Sequence, residues 1–114
     1  MSINPLPINS MLDITIQYKM DVPAFRLINF EGYLCAAGEV ILGTSVADYK
    51  VGEYGCLSVY GLVPIEASGA IAKGDEIAID RDGKVKSKTS FDTTIGKALD
   101  SAPDGGFVRA LIPR

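Results

Sequence analysis

The chain contains no histidine and no tryptophan, only two cysteines, and no apolar run long enough to cross a bilayer. Without imidazole, Ser-His-Asp triads, Cys-His pairs and histidine metal sites are all excluded. Cys35 and Cys56 stand apart with no histidine to join them, which indicates neither a zinc site nor a disulfide framework. Both read as small core or near-core hydrophobes. A basic excess is missing as well: the net charge is -3, so no broad positive field attracts a phosphate backbone, and nucleic acid is not an expected partner. The opening MSINPLPINS lacks the basic region and apolar core of a signal peptide, so a cytosolic location and no membrane partner are expected. Neither G-x-x-x-x-G-K-[ST] nor G-x-G-x-x-G occurs, so phosphate cradling is not supported.

What is present describes a folded, turn-rich domain: 47% hydrophobic, 22% charged, with 12 glycines and 6 prolines in 114 residues. A chain this small exposes much of its surface, which makes self-association an expectation from the start. Residues 1–10 carry Pro5 and Pro7, which fix the backbone and remove ladder donors, so this segment reads as an extended arm ahead of a single β-rich domain over 11–114.

Helical periodicity is sustained nowhere, and the segment Glu66 to Gly74 holds one helical turn at most. Alternation is common. Leu12, Ile14, Ile16 and Tyr18 fall on one face of a predicted strand, opposite Asp13, Thr15 and Gln17. Further short strands are predicted over Ala24 to Phe30, from Glu39 to the exit at Gly43, and from Gly55 until Pro64 interrupts the ladder, marking an edge or a bend. Ile77 and Ile79 alternate into Asp82-Gly83 and on to Val85, which predicts a tight hairpin. A last pair is expected over Thr94 to Leu99 and Gly106 to Ile112. The sum is an all-β fold of seven or eight short strands in a small barrel or sandwich.

Each chemical candidate has a structural reading beside it. Asp75, Glu76, Asp80 and Asp82 are close in sequence, and Asp80 to Gly83 resembles the start of a calcium loop. The twelfth position of such a loop, however, is Phe91 rather than glutamate, and turn chemistry accounts for the run. Lys84, Lys86 and Lys88 share a strand face; with acidic neighbours and no interleaved aromatics they read as a solvated outer face. Tyr49, Tyr54 and Tyr60, with Phe25 and Phe30, either line a sugar or partner surface or pack in core and turns. No cofactor or metal is implied.

One pattern occurs twice. Ile41 to Asp48 (ILGTSVAD) and Thr94 to Ser101 (TIGKALDS) align on Gly43 and Gly96, pairing Leu42 with Ile95, Ser45 with Ala98, Val46 with Leu99 and Asp48 with Ser101. Past a loop, Gly55 to Val59 aligns with the strand that starts at Gly106, the second loop being two residues shorter. Strand, glycine, small residue, loop and returning strand together make a supersecondary unit used twice, each unable to bury its apolar face alone.

At these residues the chain resembles the small capsid decoration, or cement, proteins of tailed bacteriophages. The resemblance runs from about Ala36 to Ile112, through Gly38-Glu39-Val40, Ser45-Val46-Ala47, Gly52-Glu53, Gly61-Leu62-Val63-Pro64, Lys73-Gly74-Asp75, Asp82-Gly83-Lys84-Val85, Ile95-Gly96-Lys97-Ala98 and Val108-Arg109-Ala110-Leu111. Residues 1–30 match that pattern poorly. The resemblance implies a β-tulip-like domain on the outer face of a phage head, commonly a homotrimer, that is made in the bacterial cytoplasm. It would bind the major capsid protein and staple the lattice without catalysis. Ile3, Pro5, Leu6, Pro7 and Ile8 of the arm are then the expected capsid-binding residues, ordering by strand addition or groove docking. Two rivals remain open at this stage: a ligand- or carbohydrate-binding β-barrel using the aromatic residues, and a carboxylate hydrolase using Asp75 and Glu76.

Overall fold

The structure, a computed structural model, describes residues 9–90 and 92–113, with backbone alone for 9–11. It is nearly all β. In chain order the strands are β1 (Asn9–Gln17), β2 (Leu27–Asn29), β3 (Ile41–Ser45), β4 (Tyr54–Leu62), β5 (Ile65–Glu66), β6 (Glu76–Ile79), β7 (Val85–Ser87), β8 (Gly96–Ala98), β9 (Phe107–Val108) and β10 (Ala110–Leu111). They form three sheets, ordered β1-β4-β3-β2, β10-β8-β6-β7 and β5-β9, rather than one closed barrel. The total exceeds seven or eight because the expected last strand splits at Arg109, and because the buried Pro64 separates β4 from β5.

Local chemistry explains where the strands stop. Phe25 has φ 63, a left-handed value, so the strand expected from Ala24 begins only at Leu27. Register shifts on either side of Leu12 rotate it off the inward face: Leu12 is exposed, Ile14 and Ile16 are half-buried, and Tyr18 is buried. The Asp82-Gly83 hairpin forms as expected. Both residues have positive φ, a short 3-10 turn spans Arg81–Gly83, and Ile79 pairs with Val85. The expected arm loses its last two residues to β1, whose Asn9 pairs with Leu62; Ile3, Pro5, Leu6, Pro7 and Ile8 lie outside the described residues.

The repeat extends well beyond the two glycine motifs. Residues 17–62 and 66–112 form two equivalent units that share one hydrogen-bond plan. In the first unit, Tyr18 N–H donates to the Glu53 carbonyl, Val22 and Tyr49 exchange both backbone bonds, and Phe25 N–H donates to Ser45. In the second, Ala67 donates to Gly106, Ile71 and Ala102 exchange both bonds, and Gly74 donates to Ala98. Asp48 Oδ1 accepts Ala24 N–H at 2.7 Å, and its counterpart Ser101 Oγ accepts Lys73 N–H at 2.9 Å. The registers coincide too: Ile28 faces Gly43 as Ile77 faces Gly96, and Gln17 faces Tyr54 as Glu66 faces Phe107. Gly106 therefore matches Glu53 rather than Gly55, and the two loops are equally long. The later unit differs in its β6-β7 hairpin, and its counterpart of β4 is broken into β9 and β10.

Both repeat glycines are required by close approach. A Cβ on Gly43 would lie 2.4 Å from the Ser58 carbonyl oxygen, and one on Gly96 would lie 2.1 Å from that of Leu111. Gly55 has a different reason. Tyr49 stacks on Tyr18 with ring centroids 4.5 Å apart, and a Cβ on Gly55 would sit 2.1 Å from the Tyr49 ring. In the second unit Ala67 and Ala102 replace the two tyrosines, and Val108 replaces the glycine.

Each unit has its own apolar cluster. The first is built on Tyr18, Val22, Ile28 and Leu57; the second, larger one is built on Ile65, Ile71, Ile77, Ile79, Val85 and Val108. Leu27 and Cys35 come from the first unit but pack in the second cluster, so the two units form one body. Each fully buried Leu, Ile or Val contributes roughly 1.5–3 kcal/mol.

Candidate functional site

The carboxylates singled out in the sequence are spread over separate local tasks. Asp75 accepts Ala72 N–H at 3.0 Å and the Ser87 hydroxyl at 2.9 Å, closing the turn that leads into β6. Glu76 pairs with Lys88 at 3.9 Å on the exposed surface. Asp80 is held below its usual value, chiefly by the Ser68 hydroxyl, and Asp82 occupies the hairpin turn. Among the described residues no cluster of three acidic or cysteine side chains is placed to hold a metal ion. The calcium-loop likeness therefore comes down to turn chemistry.

The lysine stripe is neutralised residue by residue. Lys84 meets Glu66 at 3.6 Å, Lys86 meets Asp92 at 3.4 Å, and Lys88 meets Glu76. Sequence order hides two of these partners, since Glu66 and Asp92 come from neighbouring segments. Asp92 also accepts the Thr89 N–H and hydroxyl, and the Thr89 hydroxyl is the main reason its carboxyl sits below the ordinary range. A face of paired charges with modest individual energies reads as a solvated surface.

The aromatic residues do not converge. Tyr49 and Tyr18 make the stacked pair of the first cluster, where the Tyr18 hydroxyl donates to the Cys56 carbonyl at 2.7 Å and the Tyr49 hydroxyl accepts Cys56 N–H at 3.0 Å. Burial pushes the Tyr18 phenol up. Phe25 is buried edge-on against Phe107, with ring centroids 5.6 Å apart. Phe30, Tyr54 and Tyr60 point outward. Phe30 lines one shallow groove with Glu31, Glu39 and Val40, and Tyr49 lines another with Asp21 and Pro23. The sugar-site reading therefore loses its constellation. Burial also pushes the Cys35 thiol up to about 12, as expected of an inert core residue, while Cys56 is half-buried.

The surface instead offers scattered large apolar side chains on a rigid body. Phe30 is 60% exposed, Val40 71%, Val51 63% and Tyr54 71%. Exposed aromatics of this kind mark contact surfaces when they group on one face. Two ion pairs brace the body beneath: Arg26 with Glu66 at 3.0 Å, joining the units, and Arg109 with Asp100 at 3.0 Å, anchoring the break between β9 and β10.

The profile of the phage cement protein family matches residues 7–112. No curated protein sequence matches the chain. Among solved structures, the fold is similar to that of the head fiber gp8.5 N base in bacteriophage phi29, with a TM-score of 0.76 at 22% identity. That similarity covers 90% of this chain and 93% of the other.

Proposed function

The chain belongs to the phage cement protein family, and from that membership we propose that it decorates the outer surface of a tailed-phage head. There it binds the major capsid protein and holds the expanded lattice together, acting without catalysis. The observation that carries this reading is the family match over residues 7–112, almost the whole chain. The fold shared with a phage head fiber base, and the packing of Leu27 and Cys35 from the first unit into the second unit's cluster, are consistent with a small, stiff adhesive body. It is made in the host bacterial cytoplasm and carried on the virion.

The mechanism is additive contact. A β-tulip-like subunit acting as a homotrimer engages several capsid subunits at once, so modest interfaces gain avidity without any new kind of bond. Ile3, Pro5, Leu6, Pro7 and Ile8 are the proposed capsid contacts. The prolines bias the arm of residues 1–10 toward extended conformations, and the apolar residues between them supply anchors for strand addition or groove docking. The arm enters the body at β1, an edge strand of its sheet.

Purified chain mixed with expanded empty heads and imaged on the shell tests this. Discrete knobs at local symmetry axes are expected, and a bare shell overturns the reading. Deleting residues 2–8 leaves the thermal unfolding of the free chain unchanged and weakens shell binding; undiminished binding removes the arm from the account.

A further inference from the structure

Most carboxylates of this acidic chain find partners within it. Asp21, Glu66, Glu76, Asp92 and Asp100 each pair with a lysine or arginine, and Asp48, Asp75 and Asp104 accept backbone N–H groups. Glu31 differs: among the described residues its exposed carboxylate has neither an ion pair nor a hydrogen bond. Glu39 is also exposed and unpaired with any cation. Its Oε1 accepts Ala36 N–H at 2.6 Å, but its Oε2 meets only Asn29 Nδ2, at 3.4 Å, and so keeps acceptor capacity to spare. These two carboxylates line one groove, together with Phe30, 60% exposed, and Val40, 71% exposed.

Asn29 fixes the shape of that groove. It is 5% exposed, and its side chain bonds to both walls. Oδ1 accepts the N–H groups of Glu31 at 3.0 Å and Tyr33 at 2.9 Å, and Nδ2 reaches both oxygens of Glu39 at 3.4 Å. The turn that presents Phe30 and the segment that presents Glu39 are thus held in place before anything binds, which lowers the ordering cost of recognition. Gly38 and Glu39 also border a second groove, which Asp92 and Ile95 line, so an extended segment can continue past the first.

An aromatic face flanked by carboxylates that lack cations of their own is complementary to a guanidinium. That group is planar, stacks on a ring and carries five N–H donors in a fixed fork, whereas an ammonium supplies charge without plane or fork. We infer that the groove receives an arginine side chain from an extended segment of a protein partner. The guanidinium lies on Phe30 and bonds to Glu31 and Glu39, and an adjoining apolar side chain of the segment covers Val40. The identity of that partner as the capsid protein rests on the function proposed above; the preference for arginine does not.

Titrating the isotope-labelled full chain with acetyl-arginine amide is expected to shift the amide resonances of residues 29–40, with a dissociation constant on the order of 10 mM, as exposed ion pairs and one cation–π contact allow. Acetyl-citrulline amide, of similar shape without the charge, is expected to bind at least about fivefold more weakly. Phe30→Ala with Glu31→Gln, both at exposed positions, is expected to abolish the shifts and leave the unfolding midpoint in place. Asp104→Asn, which removes one charge elsewhere and keeps an acceptor for Gly69 N–H, is expected to respond as the parent does. An equal response to citrulline amide, shifts centred outside residues 29–40, or undiminished shifts in the double variant overturn the inference. On expanded heads the double variant is expected to bind at least about tenfold more weakly than the parent. Heads that bind both alike overturn the inference and leave decoration standing. Heads that bind neither count against decoration alone, since the amide titration reads the groove without them.

Discussion

Replacing Gly96 by alanine puts a methyl group where the Leu111 carbonyl oxygen already lies. The added carbon would sit 2.1 Å from that oxygen, more than an ångström short of the 3.4 Å at which ordinary contact begins. Gly43 meets the Ser58 carbonyl in the same way at 2.4 Å. Both obstacles are backbone atoms of the returning strand, so relief requires the strands to part. Overpacking of this kind costs roughly 1–3 kcal/mol, and weakening about two ladder hydrogen bonds adds roughly 1 kcal/mol each. Each substitution is therefore expected to destabilise the chain by about 3–5 kcal/mol, lowering its melting midpoint by roughly 12–20 °C. Gly52 and Gly105, at φ 87 and 79 with open space around them, are the controls. Alanine there costs only the left-handed backbone term, about 1–2 kcal/mol, and asparagine recovers part of it, while asparagine at 43 or 96 recovers nothing. Urea unfolding of the eight variants, with unchanged m-values, measures this. A cost below about 0.5 kcal/mol for Gly96→Ala refutes the close-approach argument.

The paired replacements between units give a second prediction. Tyr49→Ala alone leaves a cavity and Gly55→Val alone overpacks, but the two together recreate Ala102 with Val108; a double-mutant cycle is expected to show favourable coupling of about 1–3 kcal/mol. Phe25, buried at φ 63, carries strain where its counterpart is Gly74, so Phe25→Gly is expected to be more stable than Phe25→Ala by about 1 kcal/mol, the reverse of the usual order. Asp100 is depressed chiefly by its hydrogen bond from Arg109, and Asp80 by Ser68. A depressed carboxylate stabilises the fold above its unfolded value of 3.8 and loses that contribution as pH falls through the lower folded value. Urea midpoints should therefore hold down to about pH 4 and fall below it, with a shallower fall in Asp100→Asn; an equally steep acid limb in that variant counts against the assignment.

Much of the fold is legible in the sequence because alternation and turn residues are local. The Asp82-Gly83 hairpin, the break at Pro64 and the matching roles of Gly43 and Gly96 all follow from short patterns. The full duplication is not legible, because equivalence rests on backbone bonds that different side chains can make. Val22-Pro23-Ala24-Phe25 and Ile71-Ala72-Lys73-Gly74 adopt the same turn, yet only the first apolar residue is alike, and phenylalanine takes a backbone conformation usually left to glycine. The one available clue is the spacing of six residues shared by Val22–Ile28 and Ile71–Ile77. The misplaced match of Gly55 with Gly106 has the same origin: Gly55 is there to admit the Tyr49 ring, which lies outside the pattern being compared. Exposure of Phe30 and Tyr54 also escapes the sequence, since an aromatic residue in a strand reads equally as core or surface.

The central claim is that the chain strengthens a phage shell. Its most direct measurement is the heat disruption of expanded, DNA-free heads with and without saturating chain, followed by calorimetry and release of capsid protein. The account predicts a higher disruption temperature that rises with occupancy. Heads that bind the chain fully yet come apart at an unchanged temperature would contradict it.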